Sequence, residues 1–392
     1  MVMSERTRVH AGIASVSAAD VDVLTALEGH LFPRMIADMA PIMGARCGAA
    51  VLVQDNALWF RAQLGFTEAS TAREGRLWDV AMATDTPLVV EDLLADPRFS
   101  DGPRIVGGVE IRFFLSCVFH DQEGRPIGVL CFADPDPVEL DQAKLGSLQG
   151  AAMFIETQLA AINEFDRAAA IQQALLPRTV PPLDGYQVAG ACVAAKSVGG
   201  DFFDWYPVEG GMALTLSDVM GKGVGSGILA AAVRATIRTA QHEDDVALAV
   251  DRAAEALQED LSEAESFVTL FHARLRAADG LISYVDAGHG LSVILQADGT
   301  GRRLETNDFP LGPIPGATWS SNQVTLEKGG MLISFSDGVL DLYDGSLRAV
   351  EEVAKIARRS SSAQEVVDEI ARLARRDTAP DDVTVVAISR TR

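Results

Sequence analysis

Four aspartates in the C-terminal half of the chain share one local setting. Asp201 follows a strand pattern and the pair Gly199-Gly200. Asp218 closes the apolar run Met212 to Ser217 and precedes Gly221-Lys222-Gly223. Asp337 closes Leu332 to Ser336 and precedes Gly338, and Asp381 stands just before a strand pattern starting at Val383. A carboxylate at the end of a buried strand is costly unless something neutralises it. Strand-end positions would gather all four at one edge of a sheet core. Lys222 is the only cation beside these motifs, so divalent metal ions are the natural neutraliser. Oxygen ligands without a Cys or His cluster select hard ions, Mg²⁺ or Mn²⁺. Two such ions would share a bridging water, lower its pKa and clamp the attacking and leaving oxygens of an in-line displacement at phosphorus. Each Asp alone reads as a turn or cap residue; their joint occurrence carries the reading.

The elements that must position them form an α+β region. Strand patterns lie at Tyr186–Ala195, Met212–Ser217, Phe267–Leu275, Leu281–Asp286, Met331–Ser336 and Val383–Ser389. Amphipathic helices are predicted at Gly225–Gln241, Val246–Ala264, Arg348–Arg359 and Ala363–Arg375. Strands bunched around a helical pair do not follow the alternation of a parallel sheet. The expectation is an antiparallel β-sandwich flanked by helices over residues 185–392.

Before it, residues 140–184 read as a helical linker, with one long helix over about Leu140 to Leu176. Leu145, Leu148, Ala152, Ile155, Leu159 and Ile162 follow a 3-4-3-4-3 spacing, the seam of a coiled coil that would make a homodimer. Phe165 arrives a step early and shifts that seam. A single helix packed on its own neighbouring domain fits the same stripe. Pro177 and Pro181-Pro182 stop the helix. Residues 19–139 open with a helical pattern, Val21, Leu24, Leu27, Leu31, Met35 and Ile36. Strand runs Ala49–Val53, Leu58–Gln63, Pro87–Val90, Phe113–Phe119 and Pro126–Ala133 follow, with Asp92–Gly108 as a loop and the last two runs as a hairpin. This region reads as α+β with an antiparallel sheet.

Length, 392 residues, suggests two or three domains. A net charge of -22 argues against nucleic acid or an anionic membrane as partner. Cys47, Cys117, Cys131 and Cys192 form no C-x-x-C pair and sit in apolar stretches, as buried reduced thiols of a cytosolic protein do. Met1 to Ser17 reads as no signal peptide, and no run of about 18 apolar residues suggests a membrane span. The expected location is cytoplasmic.

Ser197-Val198-Gly199-Gly200-Asp201-Phe202-Phe203-Asp204 and Ser217-Asp218-Val219-Met220-Gly221-Lys222-Gly223 resemble the first two signatures of the SpoIIE-type branch of metal-dependent protein phosphatases. Phe267-Val268-Thr269-Leu270, Ala287-Gly288-His289, Pro310-Leu311-Gly312, Ser336-Asp337-Gly338-Val339-Leu340-Asp341 and Asp381-Asp382-Val383-Thr384 follow in that family's order, and Leu175-Leu176-Pro177 matches the segment before it. The resemblance implies Asp201, Asp218, Asp337 and Asp381 as metal ligands. Asp218 would bridge two Mn²⁺ or Mg²⁺ ions, the Val219 carbonyl would contribute, and Asp201 and Asp218 would carry catalysis. Asp204 and Asp382 read as outer or structural members, and His289 as a structural hydrogen-bonding residue. Gly290-Leu291 stand where the family commonly has Pro after the Gly-His pair.

The first region resembles a GAF domain through Pro87 to Asp92, Asp96-Pro97-Arg98-Phe99, Ile111 to Phe114 and Gly124 to Leu130. Such a module either holds a small ligand or relays conformation without one. Together these resemblances imply a signal-regulated serine/threonine phosphatase, acting through a binuclear metal-bound hydroxide. Its substrate would be a phosphorylated regulatory protein, an anti-anti-sigma (STAS) protein in bacterial partner switching. Two other readings stand beside it: a catalytically weak scaffold that sequesters a partner, and a phosphatase of small phosphorylated molecules.

Overall fold

The computed structural model describes residues 31–54, 57–73, 76–99, 105–195, 198–305, 308–377 and 379–391. Val21, Leu24 and Leu27 of the expected first helix lie outside them. The chain divides into two compact units, Met1–Glu164 and Phe165–Arg392.

The first unit contains α1 (Leu31–Met43), β1 (Cys47–Gln54), β2 (Ala57–Leu64), β3 (Ser70–Ala72), α2 (Arg76–Met82), β4 (Leu88–Val90), β5 (Ile105–Val106), β6 (Val109–Glu110), β7 (Phe113–His120) and β8 (Pro126–Asp134). Helix α3, Gln142–Leu175, begins here. Six strands pair in the order β3-β2-β1-β8-β7-β4, antiparallel throughout. At the β7–β8 turn the Asp121 carboxylate accepts the N–H groups of Glu123 and Arg125, and Gly124 takes the positive φ of 75° that a side chain would strain.

Strand alternation sends two sets of side chains to opposite faces. On one face Val51, Val53 and Phe114 pack with Phe60, Phe66 and Trp78. On the other, Leu52 and Phe132 meet Phe32, Ile36 and Met43 of α1 and Leu148, Ala152, Ile155 and Leu159 of α3. This corrects the coiled-coil expectation. Leu148 and Ile155 are fully buried within their own unit, so the stripe is already spent on an intramolecular sheet and is not free to pair with a second copy.

The second unit contains β9 (Tyr186–Val193), β10 (Asp201–Val208), β11 (Gly211–Val219), α4 (Val224–Thr239), α5 (Val246–Glu263), β12 (Val268–Arg276), β13 (Leu281–Ala287), β14 (Ser292–Leu295), β15 (Gly301–Arg303), β16 (Asn322–Thr325), β17 (Met331–Phe335), α6 (Gly338–Asp341), α7 (Arg348–Arg359), α8 (Ala363–Asp377) and β18 (Val383–Arg390). Two five-stranded antiparallel sheets form, β10-β11-β12-β13-β16 and β15-β14-β17-β18-β9. Phe203, Trp205, Leu214 and Phe271 of the first pack against Ile294, Leu332, Val386 and Ile388 of the second, making the core of a sandwich. Val233, Ile237, Val250 and Leu257 of α4 and α5 cover the outer face of the first sheet. Val353 and Ile370 of α7 and α8 cover that of the second.

Candidate metal centre

Strand register brings the first two aspartates together. Asp201 opens β10, and the β10–β11 ladder sets it directly opposite Asp218. In the other sheet β17 ends at Phe335, paired with Val385 of β18. Asp337 therefore leaves the same end of that sheet at which Asp381 enters it.

The Asp201 side chain is buried, and among the described residues its Oδ2 has no hydrogen-bond partner. Burial, then the neighbouring Asp218 charge, pushes the Asp201 pKa well above the carboxylate range. Asp218 is raised to about 7, first by burial and then by Asp337, Asp381 and Asp382. Asp337 stands nearer solvent and is raised by partial withdrawal from water, then by Asp381 and Asp341. Against this negative field stands Lys222, whose Nζ lies 2.9 Å from Asp381 Oδ2 and donates to the Pro380 carbonyl at 2.9 Å. Among the described residues the four carboxylates act on one another, with Lys222 as their close cation.

Backbone packs tightly around the group. A Cβ on Gly200 would stand 2.4 Å from the Val219 carbonyl oxygen, and one on Gly338 would stand 2.0 Å from the Asp382 carbonyl oxygen. Only glycine permits both approaches. Gly221 and Gly223 take φ values of 108° and 101° as the chain turns from Asp218 into α4.

Three further polar residues have partners of their own. Asp382 accepts the N–H of Ala195 at 2.8 Å and of Gly200 at 2.9 Å, so it braces the loop before Asp201. Asp204 is buried and pairs with Arg238 and Arg234 of α4, holding that helix to the sheet. His289 is buried; its Nε2 lies 3.1 Å from Ser334 Oγ and its backbone N–H donates to Asp286. Burial lowers its pKa to about 3, which keeps the ring neutral and unfit as a proton donor at neutral pH. Sequence reasoning did not find Asp286, because nothing local separates a carboxylate that caps a turn from a solvated one.

Among the described residues, no three His, Cys, Asp or Glu side chains already enclose a single point. A hard divalent ion does not need that: Mg²⁺ keeps several waters and is held through one or two carboxylates. The Asp201 Oδ2, the raised Asp218 and the Val219 carbonyl would offer oxygen donors of that kind. The residues present fit such ions.

Two family models match the chain: "Stage II sporulation protein E (SpoIIE)" over residues 208–391 and "GAF domain" over residues 29–159. Asp218, Asp337 and Asp381 fall inside the first match, and Asp201 lies seven residues before it. Protein IcfG of Synechocystis sp. is 25% identical over 262 residues, covering 58% of this chain and 41% of its own length. Phosphoserine phosphatase RsbU of Bacillus subtilis is 28% identical over 184 residues, covering 46% of this chain and 54% of its own length. The chain thus spans about half, or less, of the curated relatives it matches. The RsbU and RsbW domains of Rv1364c from Mycobacterium tuberculosis align at 23% identity and a TM-score of 0.48, over 54% of this chain and 63% of that one. The match to the SpoIIE family model lies in the second unit and the match to the GAF model in the first.

Proposed function

We propose that this chain is a signal-regulated, metal-dependent protein serine/threonine phosphatase of the cytoplasm, acting on a phosphorylated regulatory protein of the anti-anti-sigma (STAS) kind. One observation carries the chemistry: a buried carboxylate oxygen, Asp201 Oδ2, with no hydrogen-bond partner among the described residues, on a residue paired with Asp218 across a ladder. A buried carboxylate oxygen without a partner is costly, and a cation bound there would offset that cost. Asp201, Asp218, Asp337, Asp381 and the Val219 carbonyl would hold two Mn²⁺ or Mg²⁺ ions. Bound there, such ions supply charge neutralisation at a phosphoryl group and a water of lowered pKa.

The chain's own residues do the rest. Asp218, central to the electrostatic group, orients both halves of the site. Asp382 fixes the Gly199–Gly200 turn from one side, and the Asp204 pair fixes α4 behind the loop that carries Asp218 and Val219. The relative named a phosphoserine phosphatase supports phosphoserine as the substrate group. The GAF domain supports control by a signal. A homodimer of this chain would use a surface other than the Leu148–Leu159 stripe. Among the described residues no helix is long and apolar enough to cross a membrane.

The test is phosphate release with Mn²⁺, first from an aryl phosphate and then from phosphoserine proteins and small phosphate esters. Release from phosphoproteins, abolished by chelator, supports the reading. Release from small esters alone would move the substrate to metabolites, and release from none would leave a binding scaffold.

A further inference from the structure

The loop that leads into Asp201 is held from two sides. On one side Asp382 accepts the Gly200 N–H at 2.9 Å. On the other, the side-chain amide of Gln172, on the last turn of α3, forms a two-point clasp with the Gly199 peptide groups. Gln172 Nε2 donates to the Gly199 carbonyl at 2.7 Å, and the Gly199 N–H donates to Gln172 Oε1 at 3.1 Å. A primary amide presents a donor and an acceptor side by side, so the pairing fixes distance and orientation together. Gln172 also lies against α4: a Cβ on Gly227 would stand 3.6 Å from its Nε2.

What the clasp holds is the hinge of the proposed metal site. Gly199 continues into Gly200, whose carbonyl accepts the Val219 N–H at 3.3 Å, and then into Asp201. Gly199 cannot carry a side chain without meeting Asp382, since a Cβ there would stand 2.0 Å from Asp382 Oδ2. Both glycines lack a Cβ to restrict their backbone, so the turn's rigidity has to come from its partners. Asp382 and Gln172 are those partners. Leu176, one turn further along, packs into the cores on both sides of the first sheet.

We propose that Gln172 is a positioning residue for the metal site: its amide clasp on Gly199 sets the Gly199–Gly200 turn and thereby the placement of the Asp201 carboxylate and the Val219 carbonyl. It does not touch substrate or metal. The inference rests on the metal-centre reading given above.

The experiment compares full-length wild type, Gln172→Leu and Gln172→Glu. Gln173→Leu, at an exposed position one residue on, is the control. Leu keeps length and helix propensity but removes both hydrogen bonds, and Glu keeps an acceptor for the Gly199 N–H but sets a carboxylate against the Gly199 carbonyl. Mn²⁺ binding is read by titration calorimetry, with no substrate present, and folding by thermal melting in chelator. Mn²⁺ affinity is expected to be about tenfold weaker in Gln172→Leu, which removes both hydrogen bonds, and weaker also in Gln172→Glu, which removes one and adds a repulsion, with Gln173→Leu unchanged. A merely structural role would lower the melting temperature and leave the affinity of the folded protein alone. Equal Mn²⁺ affinity in wild type and Gln172→Leu would overturn the inference while leaving the metal centre standing. Wild type that binds no Mn²⁺ would overturn the metal centre, and this inference with it.

Discussion

Replacing Asp218 with Asn should stabilise the protein in the absence of metal and destabilise it, relative to wild type, in the presence of metal. Asp218 has its pKa raised to about 7 by burial and by Asp337, Asp381 and Asp382, against about 3.9 in an unfolded chain. A raised carboxylate contributes stability that is complete below its unfolded pKa and is lost as pH rises through the folded value. At pH 7 its ionisation therefore counts against folding. About three units at 1.36 kcal/mol each sets a ceiling of about 4 kcal/mol. Sharing of protons with Asp201 reduces this to about 2–4 kcal/mol. Asn keeps the shape and removes the charge. For a unit of this size, 1 kcal/mol is worth about 2–4 °C, so Asp218→Asn should melt roughly 5–15 °C higher in EDTA. With Mn²⁺ at a hundredfold above its dissociation constant, wild type gains about 2.7 kcal/mol per site and the variant gains little, so the order inverts. Phosphatase activity should fall by at least about 10²-fold, since even changes outside the ligand set cost about 10–100-fold. The assay is scanning calorimetry of both proteins with EDTA and with Mn²⁺. A variant that melts below wild type in EDTA and gains as much from Mn²⁺ would refute the reasoning.

Further outcomes follow from the packing. His272 is buried against Thr215 at 2.9 Å with its pKa lowered to about 4, so below pH 6.5 the unfolded chain takes a proton that the folded one refuses. Relative to His272→Asn, wild type should lose about 1.4 kcal/mol per pH unit between pH 6.5 and 4 in urea unfolding; a constant difference would contradict this. Leu148→Glu should unfold the first unit, at a cost of at least about 3 kcal/mol for a buried carboxylate in an apolar core. Near-ultraviolet circular dichroism reads this, and an intact but monomeric first unit would restore the coiled-coil expectation. Asp204→Ala strands Arg234 beneath α4 and should cost about 2–4 kcal/mol by calorimetry; loss of less than about 0.5 kcal/mol would show that the pair does not hold the helix.

Much of the second unit was legible because its strands carry continuous apolar runs and its helices keep one face apolar. Met331–Phe335 and Val383–Arg390 were readable to within a residue. Strand β10 was not. Its first six residues are buried, so Asp-Phe-Phe-Asp-Trp-Tyr shows no alternation, and nothing local marks Arg238 and Arg234 as the partners that neutralise Asp204. The sequence pattern set Asp201 after a strand, whereas it opens β10. The cross-strand pairing of Asp201 with Asp218 was not legible, because register depends on which strands are neighbours. The α3 stripe was legible as apolar and ambiguous in partner: heptad spacing specifies a buried face, and both a second helix and a sheet can bury it. Gln172 carried no sequence signal, since a polar residue near a helix end reads as solvated until the loop beneath it is placed.

The most direct measurement for the two-ion centre is the number of Mn²⁺ ions bound per chain at saturation, by titration calorimetry with elemental analysis. Two ions per wild-type chain, falling to one or none in Asp218→Asn, is the result predicted by a shared carboxylate at the head of two sheets. No bound ion in wild type, or the same number in both proteins, would contradict it.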